Sequence, residues 1–195
     1  MIEYKIILVI IAVLINFIAY FYYIRNVLIN NTKPHSFSWI IWSILVGIAF
    51  FAQLSDNAGI GMWVTGFDAL LCFIVFVLSI KKGEKNITNS DKISLILAIL
   101  AIVIWIFTSN PLLSVILISF IDGIGFFPTF RKSYNKPYEE TVTLFFLSGL
   151  IFALALFALE HYTIITVLYI SVVMSLDFLF TIMIIIRRRK FKKMK

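Results

Sequence analysis

Four polar residues lie within long apolar stretches of this sequence, where polar side chains are costly. They are Asn16, Asp68, Asp122 and Asp177. A carboxyl at the centre of a membrane-spanning helix costs about 2.5–3.5 kcal/mol on insertion scales. Ionisable groups at such depth face the interior of a helix bundle or a water-filled cavity, and they mark a functional site by default. We therefore expect these four residues to converge on one polar site.

The chemistry available to this set is solute binding and proton exchange. Lysine and arginine are absent from residues 6–24 and 93–130, so we expect at least one carboxyl to be protonated at neutral pH. A carboxyl that gains and loses a proton inside a cavity suits a proton-coupled carrier. It equally suits the binding of hydroxyl-rich or cationic solutes. The alternative is structural, because aspartate and asparagine also cross-link helices through hydrogen bonds.

Helix geometry predicts similar depths for the four side chains. Asn16 and Asp122 each lie nine residues before the arginine that follows the same apolar stretch, and Asp177 lies ten residues before Arg187. At 1.5 Å per residue these separations are about 14–15 Å, close to half of a hydrocarbon core of about 30 Å. Asp68 lies thirteen residues before the next lysine, which is about 20 Å by the same rise and therefore somewhat outward of the midplane. The set is therefore expected near the membrane midplane.

The composition indicates that lipid is the solvent of the chain. Hydrophobic residues make up 62% of the 195 residues and charged residues 14%, whereas a soluble domain has about 45–50% and about 25%. The apolar stretches do not alternate as the strands of a membrane barrel do. Seven are predicted to be transmembrane helices, although the fourth is shorter than the usual length of about 17–25 residues. They cover residues 6–24, 37–54, 59–80, 93–107, 112–130, 141–159 and 162–186.

Two of the predicted helices have recognisable start signals. Asn89-Ser90-Asp91 offers side-chain caps to the fourth helix. Asn110-Pro111 offers the fifth helix a cap followed by proline at the first helical position. Both signals favour helices over strands.

The distribution of basic residues predicts the orientation of the chain. All of the 17 lysines and arginines except Lys5 lie in the first, third and fifth loops and in the C-terminal tail. The positive-inside rule then predicts a multi-pass protein of the cell membrane with its N-terminus outside and its C-terminus in the cytoplasm. The basic tail from Arg187 is expected to face anionic lipid head groups rather than nucleic acid.

Two halves of the sequence share the same order of features. Residues 16–25 align with residues 122–131 at an offset of 106, and a Lys-Pro pair follows each segment, at Lys33-Pro34 and Lys136-Pro137. Three helices per repeat would make fused copies antiparallel, whereas a fourth helix between them makes the copies parallel. We predict an all-α integral membrane protein of two parallel three-helix bundles joined by a linker helix (3+1+3). The first bundle covers residues 1–88, the linker 89–109, and the second bundle with its basic tail 110–195.

In this layout the chain resembles the SWEET and PQ-loop superfamily of small-solute transporters. At the level of motifs the resemblance centres on Pro128-Thr129 and on the basic loop that follows it. Tyr22-Tyr23 stands where the proline pair of the first repeat would fall, and the sequence has no Pro-Gln pair. The resemblance implies a central cavity lined by polar residues of the third and seventh helices. Here the nearest polar residues are Asp68 and Asp177, where that superfamily often has asparagine.

The tryptophans and Pro128 complete the set of candidates. Trp39, Trp42 and Trp63 lie near predicted helix ends, which favours an aromatic belt at the membrane surface. Trp42 is also a candidate stacking surface for a solute. Pro128 could hinge the fifth helix, since proline kinks a helix and neighbouring groups can satisfy the freed carbonyl.

Other classes of membrane protein fit the sequence less well. His35 and His161 are predicted on opposite surfaces, so neither forms a serine–histidine pair in the membrane. The glycines near Asp122 follow it, whereas intramembrane aspartyl proteases have Gly-x-Gly before the aspartate. Residues 161–186 contain no lysine for a retinal Schiff base. We predict no enzyme activity, and a non-transporting ligand or sorting receptor on the same scaffold stays open.

The sequence therefore predicts a carrier that moves a small polar solute by alternating access. Its predicted site residues are Asn16, Asp68, Asp122, Asp177 and Trp42. One cysteine and two histidines far apart in sequence predict neither a metal site nor a cofactor. The expected partners are the solute, protons and membrane lipids, without nucleic acid, and homo-oligomerisation stays open.

Overall fold

The computed structural model describes residues 2–107 and 110–193, so the predicted end of the linker at residues 108 and 109 lies outside the described range. Over the described residues the chain forms seven α-helices and a short 3-10 turn at Gly59–Gly61, without a strand. The prediction of an all-helical protein is confirmed. The helices are α1 (Ile2–Leu28), α2 (Ser36–Ser55), α3 (Met62–Lys82), α4 (Asn89–Ile106), α5 (Pro111–Asn135), α6 (Val142–Ala158) and α7 (Ile164–Lys193).

Helices α1, α2, α3, α5 and α7 are long and apolar enough to cross a membrane, as far as the described residues go. α6 is apolar but has 17 residues. Large apolar side chains such as Phe21, Phe51 and Phe120 are exposed on the outside of the bundle, which a soluble protein largely avoids. The prediction of several apolar helices of membrane-spanning length is confirmed for these five.

The starts of α4 and α5 follow from local hydrogen bonds. Asn110 accepts hydrogen bonds from the backbone N–H groups of Leu112 and Leu113, and Pro111 occupies the first helical position, as predicted. At the start of α4, Asp91 acts as a cap, as predicted, together with Thr88, which was not predicted. The cap is a reciprocal box, in which the Asp91 carboxylate accepts from Thr88 N–H and the Thr88 hydroxyl accepts from Asp91 N–H.

The helices pack in a pattern that repeats between the two halves. α2 packs on α3 as α6 packs on α7, and α1 contacts α3 as α5 contacts α7. Across the halves, α1 packs on α6 and α2 packs on α5. Exchanging α1, α2 and α3 for α5, α6 and α7 therefore maps these contacts onto one another. α4 packs mainly on α5 and stands outside the exchange.

Two apolar cores fill the bundle, one toward each end. We call the end with the α1–α2, α3–α4 and α5–α6 loops and the last turns of α7 the tail end, and the opposite end the far end. The far-side core includes Leu45, Ile118, Ile151 and Ile170. The tail-side core includes Tyr23, Trp39, Phe145 and Phe180.

Candidate functional site

Three of the predicted carboxyls line one small cavity between the two cores. Asp68 from α3, Asp122 from α5 and Asp177 from α7 are 4%, 1% and 3% exposed, and all three line a cavity of about 30 Å³. A polar cavity of that volume has room for roughly two water molecules. The structure therefore brings together three side chains that lie far apart in the sequence.

Asn16 joins this group through Asp68 rather than through the cavity wall. Its Nδ2 donates to Asp68 Oδ1 at 3.0 Å, which links α1 to α3. Tyr20 Oη lies 3.1 Å from Cys72 Sγ, and Cys72 Sγ lies 3.8 Å from Asp68 Oδ2. Tyr20 and Cys72 also line the cavity. Asp68 is thus held within a network of four buried side chains from the first half.

The other two carboxyls have partners from the second half. Tyr169 donates its hydroxyl proton to Asp122 Oδ1 at 3.3 Å, and Ser148 donates to Asp177 Oδ2 at 2.5 Å. Asp122 Oδ2 has no hydrogen-bond partner among the described residues. One carboxylate oxygen of Asp122 is thus buried without the donor that such atoms normally have.

Aromatic rings form the wall of the cavity toward the tail end. Trp42 lies with its ring centroid 4.7 Å from Phe126, 5.1 Å from Trp39 and 6.1 Å from Phe145. Trp42 is 6% exposed, and its Nε1 has no acceptor in the described part of the chain. The prediction of an aromatic belt is wrong for Trp39 and Trp42, which are buried, whereas Trp63 is exposed.

A buried ion pair lies at the tail end of the bundle. Lys132 Nζ at the end of α5 lies 2.6 Å from Glu140 Oε2, and the two side chains are 1% and 0% exposed. Tyr23 of α1 donates to Glu140 Oε1 at 2.9 Å. Lys132 also donates to the backbone oxygens of Lys33 and Glu139. This cluster ties the first loop and α1 to the second half.

Further ion pairs cross between the halves at the same end. Lys33 binds Glu139 at 2.9 Å, and Lys136 binds Glu84 at 2.8 Å. The hydrogen bond to Glu84 raises the pKa of Lys136. Burial by itself would raise the pKa of Glu84, but hydrogen bonds from Lys136 and the Asn86 backbone outweigh it, so the net pKa lies below its usual value.

His35 and Asp91 form a second buried cluster at the tail end. Arg131 binds Asp91 at 2.7 Å, and His35 Nε2 lies 3.2 Å from the same carboxylate. Burial opposes the charged form of Asp91, yet the Arg131 and Thr88 hydrogen bonds leave its pKa below the usual value. Burial lowers the pKa of His35 despite the neighbouring Asp91 carboxylate. The start of α4 is therefore anchored to α5 and to the loop before α2.

The far end is held mainly by bonds to the backbone. Lys5 Nζ donates to the backbone oxygen of Leu159, and Glu160 N–H donates to Ala58 O at 3.1 Å. Thr163 donates its hydroxyl proton to Asp56 at 2.6 Å. The two ends of the bundle thus differ in chemistry, since the tail end has buried charges and the far end mostly backbone contacts.

Pro128 lies inside α5, which continues through it to Asn135. Proline cannot donate to the carbonyl four residues earlier. That carbonyl belongs to Ile124. The carbonyl of the next residue, Gly125, accepts a hydrogen bond from the Ser38 hydroxyl of α2 at 2.7 Å, and the same Ser38 hydroxyl accepts from Thr129 at 2.9 Å. The backbone around Pro128 is therefore bonded to the other half, and its role as a hinge stays a prediction.

Sequence reasoning missed the hydroxyl and thiol groups of the site. Tyr20, Cys72 and Ser148 line the cavity, and Tyr169 binds Asp122. A hydroxyl or thiol in an apolar helix costs little to bury, so its presence alone gives no signal. The sequence likewise gives no signal for the ion pairs that join residues of different loops.

Within the described residues, no group of three or more His, Cys, Asp and Glu side chains could hold a metal ion. No family model, no curated protein and no solved structure matches the chain. The geometry of the cavity and its surroundings is therefore the basis for assigning a function.

Proposed function

We propose that the chain is a membrane carrier that moves a small polar solute by alternating access, with the cavity between the two cores as the solute site. The observation that carries the proposal is that Asp68, Asp122 and Asp177, from three helices and both halves, line one buried cavity. Three carboxyls gathered in an apolar bundle are costly, and ionisable groups at such positions mark substrate or ion pathways by default.

The proposed arrangement has seven spans in two three-helix bundles joined by α4, with the N-terminus outside the cell membrane. The exchange symmetry of the helix contacts supports the two-bundle arrangement, because each half packs internally in the same way. Parallel repeats with a site near the bilayer midplane are a common carrier plan. In this plan the division lies at residues 1–88, 89–109 and 110–195.

Alternating access would come from rocking of the halves about the cavity. Opening at the tail end would separate Tyr23 and Lys33 from Glu140 and Lys132. Lys132 and Glu140 belong to the same half and would stay paired, and water that enters on opening would hydrate both charges. The far end, with its backbone contacts, would open in the opposite phase.

Proton linkage belongs to the proposal because solute and protons would share the same carboxyls. A proton on Asp122 or Asp177 removes the charge that the solute contacts, so binding of one affects binding of the other. Such linkage gives either exchange or co-transport. Uptake driven by an imposed pH gradient would reveal which of them operates.

A ligand or sorting receptor on the same scaffold is the second candidate. The small cavity and the buried pair of Lys132 and Glu140 favour it, since both suit a protein that stays shut around its ligand. A receptor would bind its ligand stoichiometrically without flux.

Cys72 allows an experiment that needs no knowledge of the solute. It is the single cysteine of the chain, and it lines the cavity. A membrane-impermeant methanethiosulfonate reagent is added to right-side-out and to inside-out vesicles, and labelling is read by mass spectrometry. A carrier should be labelled from both sides, with Cys72→Ser as the unlabelled control. Labelling from one side only contradicts alternating access and favours the receptor.

A further inference from the structure

We infer that the cavity binds a small organic cation, an amine that also carries a hydrogen-bond acceptor, and this rests on the proposed function because it concerns the same cavity. The ammonium group would lie between Asp122 and Asp177. The acceptor would face Trp42 Nε1. The charge of the wall, its unpaired atoms and its aromatic rings each support this class of solute.

The charged groups of the cavity wall are all acidic. Its described lining contains Asp68, Asp122 and Asp177 and no lysine, arginine or histidine. Lys132, the buried lysine at the tail end, is already bound to Glu140. An anionic solute would meet only like charges there, whereas a cation would neutralise carboxyls in a medium of low dielectric constant.

The unpaired atoms of the cavity wall favour a ligand that has both a hydrogen-bond donor and an acceptor. Asp122 Oδ2 is a buried acceptor without a donor among the described groups. An ammonium group has three N–H donors and no acceptor. Trp42 Nε1, independent of the carboxyls, is a buried donor without an acceptor at the same wall. A hydroxyl or carbonyl oxygen on the amine would satisfy it.

The rings of the wall suit the organic part of such a solute. Trp42, Phe126 and Phe145 surround the cavity on the tail side. Aromatic faces attract cations, most strongly in desolvated sites, and they also pack against methylene groups. A solute with hydroxyls alone would use the rings but would leave the charge of the carboxyls uncompensated.

The first test measures protection of Cys72 from labelling in the purified full chain. The probes are ethanolamine, which has an ammonium and a hydroxyl group, its neutral counterpart ethylene glycol, its anionic counterpart glycolate, and sodium chloride. Ethanolamine should slow labelling about tenfold at about ten times its dissociation constant. Ethylene glycol and glycolate should leave the rate unchanged. Equal protection by either of them, or by sodium chloride, overturns the assignment.

The second test changes the carboxyls. Asp122→Asn and Asp177→Asn should each raise the ethanolamine concentration needed for half protection by about thirtyfold or more, as for loss of a buried charge partner. Asp56→Asn, the same substitution outside the cavity at the far end, is the matched control and should behave as the wild type. Unchanged protection in both cavity variants contradicts the role of the carboxyls.

A third measurement on the wild type avoids variants that fail to fold. A cationic trimethylammonium methanethiosulfonate should label Cys72 faster than an anionic sulfonate reagent of similar size. The reverse order overturns the assignment. The outcomes also separate the two proposals. Two-sided labelling without ethanolamine protection supports the carrier and contradicts an amine ligand. Ethanolamine protection with one-sided labelling supports the amine ligand and contradicts the carrier.

Discussion

Tyr23 in α1 donates its hydroxyl proton to Glu140 at a distance of 2.9 Å, and Glu140 lies just before α6. The two residues belong to different halves of the chain, and the acceptor carboxylate is also paired with Lys132. One hydrogen bond thus joins the first helix of one half to the charged cluster of the other. Opening of the tail end must break it.

Glu140→Gln should destabilise the protein and open its tail end. Lys132 would keep a buried charge without a charged partner, which costs about 3–5 kcal/mol. Melting in detergent and the rate of Cys72 labelling from the tail side measure the two effects. Lys33→Gln removes a pair that is partly exposed and should cost less than about 1 kcal/mol. Equal melting of the two variants contradicts the importance of the buried pair.

Asp122→Asn and Asp177→Asn should insert into the membrane but lose solute flux and its dependence on pH. Loss of a hydrogen-bonded charge costs about 1.5–3 kcal/mol, so uptake should fall by about tenfold or more. Proteoliposomes loaded with the wild type, each variant and Asp56→Asn provide the comparison at two pH values. Wild-type flux from both cavity variants would remove the proposed site.

Gly125→Ala and Gly123→Ala should differ although they lie two residues apart on α5. A Cβ on Gly125 would come within 2.9 Å of Ile41 Cγ2, whereas a Cβ on Gly123 meets nothing within 4 Å. Overpacking of this kind costs about 1–3 kcal/mol. Gly123→Ala should be neutral or slightly stabilising, since alanine is the better helix former. Thermal melting of the two variants decides the matter, and equal loss in both contradicts close approach of α5 to α2.

The contribution of His35 to stability should fall as pH falls below about 6.5, the usual pKa of histidine. His35 has a lowered pKa in the folded protein, so the unfolded chain binds the proton first and is favoured from that pH downward. Glu84 and Asp91 also have lowered pKa values, and their contribution is present above about pH 4.3 and lost as pH falls through the folded values.

His35→Gln tests the histidine part of this profile. The decline in melting temperature from about pH 7 toward the carboxylate range near about pH 4.3 should be smaller in the variant than in the wild type. The exposed far-end histidine offers His161→Gln as a control for loss of a histidine as such. A decline that persists unchanged in His35→Gln contradicts a buried neutral imidazole.

The sequence predicted the acidic members of the site because their burial is costly. A carboxyl in an apolar helix must face inward, so the spacing of Asp68, Asp122 and Asp177 was enough to anticipate a common cavity. Ser148 and Tyr169 could not be found in this way, since hydroxyl groups are cheap to bury. Trp39 was misplaced at the membrane surface because distance from a helix end does not tell which face of the helix is covered.

The ion pairs at the tail end were also beyond sequence reasoning. Lys33 and its partner Glu139 lie in different loops, as do Lys136 and its partner Glu84, and the packing of the two halves brings these loops together. The helix starts were easier, because caps act within four residues. Even there, the prediction found only Asp91 of the reciprocal box and missed its partner Thr88.

The reciprocal lysine contacts determine how separate pieces of this chain would assemble. Lys33 of the first half forms an ion pair with Glu139 of the second half. Lys136 of the second half forms one with Glu84 of the first half. Lys136 also lies 3.8 Å from Glu139 of its own half, a longer contact than the one with Glu84. If the connection through α4 were cut, each fragment would therefore recognise the complementary fragment in preference to a duplicate of itself, and the severed protein would reassemble as a heterodimer rather than as two homodimers.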